Sequence, residues 1–254
     1  MTEAEILTDD AFLGGRLLLR QRRRGHRSGH DAVLLAAATA ARAGDRAVDF
    51  GAGVGAAGLA LARRVGGLDL TLVEIDPGLA GLARHNAAVN ALSARVLELD
   101  VTAGAAAFAA AGLPADGADV VLMNPPFNDP ARHRRSPDAA RGLAHHAETG
   151  TLEAWVHAAR RVLRPGGVLT LIWRADALTE VMAALERGFG SLCLLPVHPD
   201  PASPAIRIVV RAVKGGRAPL QLLAGIALHD DAGQPHPAVQ AVMRGERPLA
   251  LGSV

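Results

Sequence analysis

An amide, two prolines and an aromatic ring stand in a row at Asn124, Pro125, Pro126 and Phe127, directly after an apolar run over 119–123. The two prolines remove two backbone donors and fix two φ angles, and the residue before a proline is pushed to extended geometry. A strand therefore stops here, and the chain is held stiffly with its carbonyls exposed. An exocyclic amine on an aromatic ring is a poor nucleophile, because its lone pair is delocalised. The Asn124 side-chain oxygen and the Pro125 carbonyl can each hold one amine hydrogen. That pair pulls the nitrogen toward sp³ and aims its lone pair at an electrophilic methyl. Phe127 offers a face to a base taken out of its stack. Orientation supplies much of the acceleration in such an in-line displacement, and neither a metal nor a strong base is required.

The second constellation is the run VDFGAGVGAAGLALA, residues 48–62, which reads as a strand, a Gly-rich turn and a helix. Gly51, Gly53 and Gly55 let a ligand approach the backbone. In open α/β sheets ligands bind beyond the C-terminal ends of the strands. By spacing alone the turn also satisfies a dinucleotide pattern, with Glu74 as the following acid, so a nicotinamide and another adenosine cofactor remain open at this point. Two features favour S-adenosylmethionine. Asp49, ahead of the glycines, suits a cationic amino group and would repel a pyrophosphate. Glu74 and Asp100 then close two further strands, where they can take the ribose hydroxyls and the adenine amine.

Elements able to position these residues follow from the pattern. Strands are expected at 47–50, 70–74, 94–99, 118–123, 168–173, 192–197 and 206–213. Helices are expected at 31–42, 56–65, 78–90, 102–111, 151–163 and 177–188. Such alternation predicts an α/β fold, a seven-stranded and mostly parallel sheet with helices on both faces. The last two strands, with no helix between them, form an antiparallel edge hairpin. Ser28 and Asp31 are spaced like a capping box for the first helix. Helix capping and cofactor lining are preferred for His30 and Asp31 over an acid–base dyad. Residues 164–167 read as a turn, and 128–148 as a long mobile loop. The division expected is a basic N-terminal segment with a lid helix (1–40), a catalytic domain (41–215) and a small appendage (216–254).

Composition narrows the classes. The chain has 254 residues, a formal net charge of +2 and half its residues hydrophobic, enough for a full core. Its single cysteine excludes an internal disulfide and a cysteine zinc site. With no signal peptide and no apolar run long enough to span a bilayer, a soluble cytoplasmic protein is expected. Arg16, Arg20, Arg22, Arg23, Arg24 and Arg27 fall close together, and Arg132, Arg134 and Arg135 form a second cluster after Phe127. Two such clusters bracketing one site suit a phosphate backbone, so Arg22–Arg24 and Arg132, Arg134 and Arg135 are the expected RNA-binding residues.

In order and spacing, Asp49-x-Gly51-x-Gly53, Glu74, Asp100 and Asn124-Pro125-Pro126-Phe127 resemble the class I, Rossmann-like methyltransferases that modify amines. Upstream, GHRSGHDAVLLAAA (25–38) is similar to a segment of the bacterial family that methylates N6 of an anticodon-loop adenine in a valine tRNA. The resemblance covers roughly residues 28–215. It implies S-adenosylmethionine as cofactor, tRNA as partner, no metal, and Arg27, Gly29 and Asp31 closing over the methionine part. Val101, beside Asp100, joins the cofactor set. The segment after Phe127 is longer and more basic than the family pattern, and 216–254 lies outside it. Rival readings are a release-factor glutamine N5-methyltransferase, a non-catalytic RNA-binding protein of the same fold and a nicotinamide oxidoreductase.

Overall fold

A computed structural model of the chain describes residues 6–23, 27–126 and 139–251. It opens with a feature the basic composition concealed: β1 (Leu7–Phe12) and β2 (Leu17–Arg22) pair as an antiparallel hairpin. Leu17, Leu19 and Gln21 alternate inward and are buried, as the two-residue period of a half-buried strand requires. Helix α1 (His30–Ala38) follows, shorter than expected, because Thr39 leaves helical geometry and its hydroxyl donates back to the Leu35 carbonyl. The Ser28 capping box does not form. Gly29 occupies the cap position without a side-chain bond, and Asp31 instead pairs with Arg207 at 3.0 Å.

The alternating core follows as β3 (Arg46–Phe50), α2 (Ala56–Val65), β4 (Asp69–Glu74), α3 (Pro77–Val89), β5 (Arg95–Glu98), α4 (Ala105–Ala110) and β6 (Ala118–Met123). Helix α3 starts where Asp76 accepts from the Gly78 and Leu79 amides, with Pro77 in the first turn. After β6 comes α5 (Ala139–Val162), so residues 139–148 are helical where a loop was expected. The rest of that expected loop, 128–138, lies outside the described residues. Then follow β7 (Leu163–Arg174), α6 (Leu178–Leu185), β8 (Phe189–His198) and β9 (Arg207–Lys214). The expected turn at 164–167 is a bulge within β7, absorbed between the pairings of Ala118 and Val120.

All seven expected strands lie in one sheet, in the order β8-β9-β7-β6-β3-β4-β5, and β9 runs antiparallel to both β7 and β8. Two short strands from the C-terminal segment, β10 (Gln221–Leu222) and β11 (Ile226–Ala227), pair parallel with β8 and bring the sheet to nine. A final helix, α7 (Pro237–Met243), completes the described chain. Alternate strand residues point to opposite faces. Ala47 and Leu122 join the cluster under α1, α2 and α3, while Val48, Phe50 and Met123 join the one under α4, α5 and α6. Among the described residues, no helix is long and apolar enough to cross a membrane.

Candidate active site

Strand order reverses between β3 and β6: the chain runs outward through β4 and β5, then returns to the other side of β3. Ligands bind at such a switch point, beyond the C-terminal ends of the strands. The register brings those ends level. Phe50 lies opposite Val73 and Met123, and Glu74 opposite Glu98. Asp49, Glu74, Asp100 and Asn124 therefore emerge along one edge of the sheet, with adjacent strands about 5 Å apart.

Asp49 faces the start of α2, where its Oδ2 accepts the Gly58 amide at 2.8 Å. The side chain is buried, and burial is the main reason its carboxyl is pushed up to about 7. Charge repulsion from Glu74 adds to the rise, and the Gly58 hydrogen bond opposes it. A buried acid in this condition favours a cation beside it. Glu74, also buried, fixes the turn: Oε2 accepts the Gly53 amide at 2.7 Å and Oε1 the Asp76 amide at 2.9 Å. Asp100 is exposed and uses Oδ1 to hold the Thr102 amide and hydroxyl, while its neighbour Val101 is buried in the core.

The three turn glycines divide their work. All have positive φ, between 56° and 87°. A Cβ on Gly51 would sit 2.3 Å from the Trp155 ring, and one on Gly55 would press on Leu59 and Leu72. Close packing by itself requires glycine at those two positions. Only Gly53 of the three opens onto free space, with nothing within 4 Å of the Cβ position.

At the end of β6, Asn124 is half-buried and its Oδ1 is a buried acceptor with no hydrogen-bond partner among the described residues. Such an atom costs about 1–3 kcal/mol unless something donates to it. Pro125 is buried and Pro126 exposed. Phe127, Arg24, Arg132, Arg134 and Arg135 lie outside the described residues.

Residues 27–31 are held by other partners. Arg27 pairs with Asp10 at 2.7 Å and Asp31 with Arg207. In the upstream Arg cluster, Arg20 is bidentate on Asp9 and Arg22 pairs with Asp76 at 3.3 Å, while Arg23 is exposed. The acids Asp9 and Asp10 precede the cluster in sequence, and the hairpin folds them back against it. Two residues adjoining these were not singled out in the sequence. Trp155 roofs Gly51, and Ile75, next to Glu74, stands 63% exposed at the strand end. The signals were a rare Trp and an apolar residue directly after a strand-end acid.

Residues 29–196 match the sequence profile of the methyltransferase small domain. The chain belongs to that family. A tRNA1(Val) (adenine(37)-N6)-methyltransferase of Porphyromonas gingivalis is 33% identical over 168 residues, 61% of each chain, so the chain spans about six-tenths of that relative's length. One of the same name from Dickeya chrysanthemi is 29% identical over 224 residues, 85% of each. Release factor glutamine methyltransferase of Chlorobaculum tepidum is 31% identical over 152 residues, 57% of this chain and 51% of the relative. Among solved structures, protein Atu636 of Agrobacterium tumefaciens, described as a predicted O-methyltransferase, superposes with a TM-score of 0.73 at 35% identity. That match covers 87% of this chain and 98% of the other. Among the described residues no group of three or more His, Cys, Asp or Glu side chains could hold a metal ion.

Proposed function

We infer that this methyltransferase moves a methyl group from S-adenosylmethionine to the exocyclic N6 amine of an adenine in structured RNA, a tRNA anticodon loop. The observation that carries the reading is the unpartnered Asn124 Oδ1, an acceptor buried at the switch point and followed by two prolines. The names of the Porphyromonas and Dickeya relatives support the same acceptor.

The residues present fit the cofactor. Asp49 would take its ammonium group, the open backbone at Gly53 its close approach, and Glu74 the ribose hydroxyls. Ile75 would lie under the adenine ring, with Asp100 and Val101 at its far edge. Arg27, Gly29 and Asp31 would flank the methionine end. S-adenosylmethionine supplies an electrophilic methyl on a sulfonium. Asn124 Oδ1 and the Pro125 carbonyl each accept one hydrogen of the target amine and orient its lone pair, Pro126 keeps the acceptors rigid, and Phe127 stacks on the flipped base. With the cofactor bound, the amine so held would form its nitrogen–carbon bond as the carbon–sulfur bond breaks, and its surplus proton would leave to water. Orientation of this kind is worth several orders of magnitude in rate. Arg22, Arg23 and Arg24, with Arg132, Arg134 and Arg135, hold the RNA backbone. Residues 41–215 form the catalytic unit and 1–40 and 216–254 its appendages. A tRNA substrate places the protein in the cytoplasm.

The test is Asn124→Ala in a single-turnover assay, with cofactor affinity measured in parallel. Transfer should fall by roughly a hundredfold or more, since oriented acceptors typically contribute that much, while affinity stays within a few-fold. Near-normal transfer by the variant would overturn the role given to Asn124.

A further inference from the structure

Asn86 on α3 and Asn90 at its C-cap both bond to the backbone of the N-terminal hairpin. Asn90 accepts the Leu18 amide at 2.9 Å and donates to the Leu18 carbonyl at 2.8 Å. One turn earlier, Asn86 accepts the Arg20 amide at 2.8 Å and donates to the Arg20 carbonyl at 3.0 Å. Four residues of helix advance about 6 Å and two residues of strand about 6.7 Å, so the two amides meet alternate residues of β2 as a neighbouring strand would. Each Asn makes a third bond, and here they differ. Asn90 donates to the Asn86 carbonyl at 2.7 Å, within its own helix. Asn86 donates to the Val54 carbonyl at 2.9 Å, inside the Gly-rich turn.

The Asn86 bond ties the hairpin to buried Val54, the residue directly after Gly53, whose Cβ position faces open space. Val54 lies between Gly53, whose amide Glu74 holds, and Gly55, where α2 begins. Asn86 is fully buried, and the polar atoms of its amide are used on three backbone groups. The second amide hydrogen of a buried Asn needs an acceptor, and where Asn90 finds one in its own helix segment, Asn86 finds it in the turn. The same hairpin also holds the segment leading into α1. Gln21 accepts the Ser28 amide at 3.1 Å, and Asp10 takes both Gln21 and Arg27.

We propose that Asn86 is a positioning residue for the cofactor: it fixes the Val54 peptide, and with it the Gly53 backbone, and makes the N-terminal hairpin part of the cofactor-binding apparatus. This rests on the cofactor reading above. The matched control is Asn90, which also makes three bonds but none to the turn.

The experiment measures S-adenosylhomocysteine affinity by calorimetry for wild type, Asn86→Ala and Asn90→Ala, with thermal melts of all three. Both variants should lose similar thermal stability. Asn86→Ala should weaken binding roughly five- to twentyfold, the worth of one buried hydrogen bond and the order it keeps. Asn90→Ala should stay within about twofold, and turnover of Asn86→Ala at saturating cofactor should recover to near wild type. Equal losses in the two variants, or no loss in Asn86→Ala, would overturn the proposal while leaving the cofactor reading intact. No binding by the wild-type chain would overturn both. If Asn86→Ala does not fold, amide exchange in the wild-type chain decides. Saturating S-adenosylhomocysteine should slow exchange of the Arg20 amide, and unchanged exchange there would overturn the proposal.

Discussion

Asp49→Asn tests the electrostatics of the site, because the predicted effect has a sign, a size and a pH range. In the free protein the buried Asp49 carboxyl titrates at about 7. A cationic amino group binds the ionised form, so cofactor affinity is reduced by the fraction of Asp49 that is protonated. At pH 6 about one molecule in ten carries the charge, and at pH 8 about nine in ten. Affinity for S-adenosylhomocysteine should therefore rise roughly ninefold between those values. Asp49→Asn should bind roughly ten- to a hundredfold more weakly at pH 8, the worth of a charge-assisted bond. It should also lose the Asp49 component of the pH dependence. The ligand's own amino group titrates in both proteins and cancels in the comparison. Stability moves the opposite way. Because the folded carboxyl titrates above its unfolded value near 3.8, the wild-type fold loses on the order of 4 kcal/mol from this group as pH rises from about 4 to 7. Above pH 7 the loss is complete, and Asp49→Asn should then melt no lower than wild type. Calorimetry at pH 6, 7 and 8 with parallel melts gives both readings. Equal pH dependence in the two proteins, or a variant that melts far below wild type at pH 8, would refute the assignment.

Other outcomes follow from the same geometry. Gly51→Ala should destabilise the protein by several kcal/mol, since the new Cβ meets Trp155 at a positive φ; a thermal melt within a degree of wild type would contradict that packing. Asp119 is held well below the usual carboxylate range, chiefly by its hydrogen bond with Arg46 and further by Arg164. Its stabilisation is complete above the unfolded value near 3.8 and fades as pH falls toward the lower folded value. Asp119→Ala should thus narrow the gap to wild type in acid melts below about pH 4. Neutralising Arg22, Arg23 and Arg24 together should weaken tRNA binding and flatten its log–log salt dependence by roughly 0.7–0.9 for each phosphate that is no longer neutralised. Arg22 already pairs with Asp76, so the slope should change by the equivalent of about two phosphates rather than three. Superimposable salt curves would remove these residues from the RNA-binding surface.

What the sequence made legible has a common physical basis. Parallel strands buried on both faces read as short apolar runs, and their C-terminal ends carry the acids, so Asp49, Glu74 and the Gly turn stand out locally. Asn124 stands out because two prolines after an amide are unusual in any other role. Features that depend on pairing did not stand out. The hairpin at 7–22 reads as a basic tail until Asp9 is set across from Arg20. Asn86 and Asn90 carry no local mark, because their hairpin partners are backbone groups 66 and 72 positions away. The helical stretch at 139–148 lacks apolar periodicity, and no local signal marks it. Gly51 carries a second constraint of this kind. Its place beneath a Trp leaves no mark in the sequence, and only the position of Trp155 shows it.

The most direct test of the account is the identity of the methylated product. The protein is incubated with methyl-labelled S-adenosylmethionine and either total tRNA from a strain lacking the gene or added release factor, and the RNA is mapped as oligonucleotides and then digested to nucleosides. The account predicts label in N6-methyladenosine, confined to one adenine of an anticodon loop. Label in another nucleoside, in protein added as release factor, or in neither would contradict it.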